Sequence, residues 1–204
     1  MDATPTRTAD FLAHLEQVVL RARTINNQRF RPLDVQELNM RPGPGKWSVG
    51  QCLEHLNIIG GHYLPDMMRR VRLARQRGSK PAELVKHGFI GRKLTEAMRT
   101  PPSVKALVSP QKYAPSGSRL PRTVVEVFGR QLDELLRIIE VAREVNANRV
   151  RIPNPIIPLL RLRLTDQLEF LVVHLERHLA QAERVLDGRT SASPEREKSS
   201  TDTH

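Results

Sequence analysis

Cysteine is almost missing from this chain and aromatic residues are few. One cysteine, Cys52, among 204 residues excludes an intrachain disulfide framework and suits a reducing compartment. Aromatics make up 4% of the sequence, and alternating β-branched runs are scarce, so strands have little to build on. No window approaches the roughly 18 uninterrupted apolar residues of a membrane span. The N-terminal MDATPTRTADFLAHLEQ lacks a basic region followed by an apolar stretch, so a cytoplasmic location is expected, without export or membrane insertion. Glycine-rich phosphate loops and Cys-x-x-Cys pairs are absent. So is the metalloprotease pattern H-E-x-x-H, since Glu176 stands two residues after His174.

What is present is the composition of one ordinary globular domain, with 39% hydrophobic and 27% charged residues. Lysine plus arginine outnumber aspartate plus glutamate by 33 to 22, giving +11, and 26 of the 33 are arginine. The excess is scattered, which reads as solvated helix faces more than as a nucleic-acid footprint. Its densest run, from Arg69 to Lys80, lacks interleaved aromatics, so an anion-binding role for that helix end is the lesser alternative.

Four long helices are predicted. The first starts at a cap on Thr8 or Asp10, carries Phe11, Leu12, Leu15, Val18 and Val19 at helical spacing, and runs to about Asn27. Prolines 32, 42 and 44 and glycines 43 and 45 then mark Arg31 to Trp47 as an ordered loop. Ser48 opens the second helix, with Gln51 completing a capping box, and an arginine-rich end precedes Gly78. Pro81 to Pro121 reads as a long connection holding a short helix from Phe89 to Met98. The third helix is expected from Thr123 to about Asn146, and the fourth from about Thr165 to Leu186, stopping at a C-cap Gly188. No strand is expected. The fold class is therefore all-α, a four-helix bundle with a long crossover between helices two and three. Residues 1–188 form its single domain and 189–204 a disordered tail.

The chemistry-bearing residues are histidines. His174 and His178 are four apart, so their imidazoles lie on one helix face, about 6 Å apart along the axis, and both can reach one ion. They fall roughly 60 to 100° from the centre of the stripe made by Leu168, Leu171, Leu175 and Leu179. His55 sits on the flank of the second helix's stripe, about 100° from its centre, and can supply a third ligand. Three protein ligands with open positions describe a reactive metal site, not a sealed structural one. Near these residues, Gln181 and His62 are the candidates for supporting positions, with Glu54, Asn57 and Glu176 also able to bond an imidazole or a bound water. Cys52 is better read as a small buried hydrophobe than as a thiolate, and Trp47 as an anchor for the loop.

The run W-S-V-G-Q-C-L-E-H-L, from Trp47 to Leu56, followed by H-L-E-R-H-L-A-Q-A-E-R-V, from His174 to Val185, resembles the DinB/YfiT-like family. The resemblance implies a four-helix bundle of unusual connectivity binding a divalent ion through His55, His174 and His178. Nickel or zinc is expected, with manganese as a third option. It further implies a metal-dependent enzyme, either a hydrolase or a low-molecular-weight thiol transferase acting on a small-molecule substrate. The alternative is a non-catalytic, stress-associated metal binder of the same fold. An apolar face left over on the first or third helix can support a symmetric homodimer.

Overall fold

The computed structural model describes residues 5–99, 111–155, 157 and 159–190. It is mostly helical. In chain order it contains α1 (Thr8–Ile25), extended by a π-helical turn over Asn26–Phe30, then α2 (Val35–Asn39), α3 (Val49–Gln76) and α4 (Phe89–Arg99). A 3₁₀ turn at Gln111–Tyr113 leads to α5 (Thr123–Ala142), and a small antiparallel hairpin of β1 (Arg151–Pro153) and β2 (Arg161–Arg163) runs directly into α6 (Leu164–Thr190). The long helices pack as α3 on α5 and α6, and α1 on α5 and α6. Leu12, Val19, Leu53, Met67, Ile138, Ile139 and Leu168 are fully buried between them. No helix of the described residues is long and apolar enough to cross a membrane.

Several boundaries differ from the sequence expectations. The N-cap of α1 is Arg7, without a side-chain bond. The helix start is instead tied to a distant segment, where Thr8 N–H donates to the Glu83 carbonyl and Val85 N–H to Thr6. The expected loop between Arg31 and Trp47 holds α2, which Asp34 and Glu37 close with a reciprocal capping box. Helix α5 ends at Ala142, four residues early, in a tightened turn where Arg143 N–H bonds the Glu140 carbonyl. The hairpin, absent from the expectation, pairs Ile152 with Leu162 and buries both. Three-residue strands are too short for a period-two signal to show against the surrounding prolines. Helix α6 passes through Gly188 to Thr190, so Gly188 is no C-cap and the expected tail cannot begin at 189; its remainder, 191–204, lies outside the described residues.

Two expectations set the frame of the site. Ser48 caps α3, its hydroxyl accepting from Gln51 N–H while the Gln51 side chain accepts from Ser48 N–H. The short helix in the long connection is α4, and it lies along α6. The closeness comes from Gly91, where an added Cβ would stand 2.4 Å from Asp166 Cγ. The Asp166 carboxylate is 1% exposed and accepts from Gly88 N–H and from His87 Nδ1 at 3.1 Å. A buried carboxylate of α6 thus caps α4 from outside the helix, favourably placed toward its positive end. Arg99 bonds Glu169 at the other end, and Arg177 donates to the Met98 carbonyl.

Two outcomes follow from this docking. Gly91→Ala forces a methyl into the Asp166 carboxylate and should cost about 1–3 kcal/mol, the range for overpacking, read as a lowered urea midpoint. The bond to Asp166 raises the His87 pKa, against the opposing effect of burial. The stability it contributes is full below the ordinary histidine value and is lost as pH rises through the raised one. The urea-midpoint advantage of wild type over His87→Ala should therefore shrink from pH 6 to pH 9.

Candidate metal centre

His55 lies on the second turn of α3, and His174 and His178 lie one turn apart on α6. Packing of α3 against α6 brings them together, so that one ligand atom from each lies within 4.8 Å of the others. Ring centroids are 5.0 Å apart for His55 and His174, 4.5 Å for His55 and His178, and 4.6 Å for His174 and His178, with steep interplanar angles throughout. His55 and His174 are 4% and 5% exposed, whereas His178 is half-buried. The helical-wheel estimate put all three at the rim; the structure places two of them deeper.

Each imidazole has a distinct environment. His55 Nδ1 is 2.7 Å from the Tyr113 carbonyl. A carbonyl only accepts, so Nδ1 carries the proton and Nε2 offers its lone pair. His178 Nδ1 lies 3.1 Å from Gln181 Oε1, which leaves Nε2 free in the same way. His174 Nε2 stands 3.0 Å from His55 Nε2 and donates to that lone pair, while its Nδ1 is buried without a partner. Aromatic rings wall the cluster. Trp47 stacks on His178 at 5.6 Å and tilts against His55 at 5.1 Å, and Phe170 stacks on His174 at 6.0 Å.

Burial controls the protonation. It lowers the His55 pKa, against the bond to Tyr113. It drives His174 well below the ordinary value, helped by the neighbouring His178, His55 and Arg177 charges. His178 falls to about 3 through burial and the proximity of His55. Three neutral imidazoles at neutral pH are the protonation state from which histidine binds a metal. The donor chemistry therefore fits an ion with nitrogen preference.

The supporting candidates divide. Gln181 reaches His178. His62 is exposed and packs edge-on against the Tyr113 ring at 5.3 Å, one residue removed from the histidines. Glu54 is engaged by Ser116, through its backbone N–H and hydroxyl, Asn57 donates to the Val124 carbonyl, and Glu176 faces Arg21 at 4.0 Å on the surface. Cys52 is fully buried, and burial pushes its thiol up to about 12, which removes it as a nucleophile. The basic end of α3 is partly neutralised, Arg69 by Asp66 and Arg75 by Glu144. Trp47 touches two of the histidines, beyond the loop-anchoring role read from sequence. The Tyr113 carbonyl was missed altogether, because a backbone acceptor 58 residues from His55 leaves no mark in residue identity.

A helical protein with a buried cluster of three neutral histidines between two long helices is of a kind that can hold a divalent metal. Residues 19–182 match the family model of the DinB superfamily, and the chain belongs to that superfamily. No curated protein and no solved structure matches it.

The lowered pKa of His178 predicts an acid response. Its native form binds fewer protons than the unfolded chain between the ordinary 6.5 and about 3, so stability rises with pH across that window and falls on acidification. The urea midpoint of the metal-free protein should drop as pH falls from 6.5 toward 3, and less steeply in His178→Phe.

Proposed function

We propose that His55, His174 and His178 bind one divalent metal ion through their Nε2 atoms, and that the protein is a metal-dependent enzyme of the hydrolase or low-molecular-weight thiol transferase type. The convergence of three ligand atoms within 4.8 Å carries the reading. Membership of the DinB superfamily supports it, as does the Nδ1 bonding of His55 and His178, which holds each ring with Nε2 free for coordination. An all-imidazole donor set favours nickel or zinc over manganese, which prefers carboxylate oxygen. We read the four long helices α1, α3, α5 and α6 as the family's four-helix bundle, with α4 in the crossover.

With three protein ligands, positions remain for a small molecule. An ion held by the three histidines would lower the pKa of a water or thiol and so would supply a nucleophile at neutral pH. The surrounding residues orient and enclose: Tyr113 and Gln181 set two rings, while Trp47 and Phe170 limit solvent. A non-catalytic metal binder is the second reading, favoured by the engagement of Glu54 with Ser116 and the burial of Cys52, which leave neither residue as an obvious base or nucleophile. Turnover of thiol or ester substrates by metal-loaded protein separates the two.

Elemental analysis of the purified protein should find about one equivalent of nickel or zinc. The triple variant His55→Ala, His174→Ala, His178→Ala should contain none, with helical content by circular dichroism largely kept. A wild-type protein that takes up no metal at neutral pH, after incubation with nickel, zinc or manganese, would sink the reading.

A further inference from the structure

We propose that the β1–β2 hairpin docks the protein reversibly onto an anionic phospholipid surface, its arginines meeting headgroup phosphates while Ile157 and Leu159 of its turn enter the interface. The proposal does not depend on the metal reading. It starts from the two faces of the hairpin. Ile152 and Leu162 pair across it and are buried, so the residues one position away from them point outward. Arg151, Arg161 and Arg163 occupy that outer face, and Arg149 continues it just before β1.

Arg151 stands directly opposite Arg163 in the register. Like charges facing one another across two strands destabilise the pair. Arg163 is held back by donating to the Lys86 carbonyl. Arg149, Arg151 and Arg161 are exposed and form no ion pair among the described residues. Elsewhere Arg23, Arg29, Arg75 and Arg143 each meet a carboxylate from another element.

The turn supplies the second observation. Leu159 is fully exposed and Ile157 is 43% exposed. Leu159 also has a φ of 67°, a left-handed conformation that glycine adopts freely and a leucine side chain opposes. A strained leucine pointing into water adds nothing to the core, and strain kept at such a place marks a functional position. The turn is nonetheless firmly built. Asn154 Oδ1 accepts from Ile157 N–H at 2.9 Å, Leu160 N–H donates to the Ile157 carbonyl, and the Tyr113 hydroxyl donates to the Pro155 carbonyl at 3.1 Å. The Tyr113 carbonyl accepts from His55, so the turn and the histidine cluster share one anchor.

Three occupants compete for this surface. A second copy would set an identical arginine face against this one, on a chain of net charge +11, and self-repulsion opposes that. Nucleic acid satisfies the arginines but leaves the apolar turn in water. An anionic bilayer satisfies both. Strand rise places Arg161 about 7 Å from Leu159, which matches a headgroup layer roughly 5–8 Å deep above an apolar side chain at the acyl boundary.

The test is co-sedimentation of the full chain with vesicles of phosphatidylglycerol and phosphatidylcholine in equal parts, against phosphatidylcholine alone. Wild type should bind the anionic vesicles and not the neutral ones, and should be released as salt rises from about 0.1 M to about 1 M. Arg151→Gln and Arg161→Gln should each weaken binding about 5-fold, as for one arginine near a charged surface. Leu159→Gly should weaken it about 10-fold through the lost apolar burial, while unfolding in urea no earlier than wild type, because glycine suits that backbone. Phe89→Ser, which removes an exposed ring of α4 outside the hairpin, should bind as wild type does.

A wild-type chain that stays in the supernatant with anionic vesicles overturns the proposal, as does binding that Leu159→Gly leaves unchanged. Retention of a DNA duplex by wild type and Leu159→Gly alike, without vesicle binding, assigns the arginines to nucleic acid instead. Loss of vesicle binding in Phe89→Ser, with the hairpin variants unaffected, moves the surface to α4 and equally overturns it.

Discussion

Three imidazole rings with centroids 4.5 to 5.0 Å apart cannot all hold a second proton. Burial removes the water that would solvate an imidazolium, and each ring's charge would repel the next. The cluster therefore exists as neutral bases, and the N–H of each buried ring needs an acceptor. Most of the local architecture answers that demand. The chain around Tyr113 runs beside the start of α3, where Tyr113 accepts from His55, Ser116 bonds Glu54 and the Gly117 carbonyl accepts from Gln51. Gln51 also closes the capping box with Ser48, so a residue of the first turn of α3 also tethers the segment whose Tyr113 carbonyl accepts from His55.

The α6 side is organised differently. His174 and His178 are fixed by helical spacing, and their surroundings are assembled from distant segments: Trp47 before α3, Gln181 one turn along, and α4 laid against the first half of α6. Asp166 holds α4 in place by accepting from Gly88 and His87. That contact is close because Gly91 has no side chain. A buried carboxylate is tolerated there because Gly88 N–H and His87 Nδ1 both donate to it, and the hairpin braces the neighbouring backbone, with Arg163 donating to the Lys86 carbonyl. The same stretch of chain returns to α1 through Glu83 and Val85, coupling the first helix to α6 through the connection between α3 and α5.

Metal affinity and fold stability pull against one another at such a cluster. A chain that packed the space with leucines would avoid the acid sensitivity of buried histidines and the unsatisfied Nδ1 of His174. Retaining three bases there makes sense when an ion offsets the desolvation, since binding to the native state alone stabilises it by mass action.

How much was legible in the sequence follows from the range of each interaction. The capping box at Ser48, the long amphipathic stripes and the four-residue spacing of His174 and His178 are local, so periodicity and residue type were enough to read them, and family motifs pointed to His55 as the third member. Helix α2 and the hairpin escaped because five- and three-residue elements are held by caps and neighbours rather than by their own periodicity. The end of α6 escaped because a glycine stops a helix only where the chain turns into a left-handed conformation; Gly45 and Gly78 do so, and Gly188 does not. The sequence by itself determined that the protein is helical and which three histidines could share one metal site. Only the tertiary structure decided how deeply they are buried, which nitrogen of each ring is free and what walls the cluster, because those depend on oxygen atoms and rings brought from far along the chain by packing.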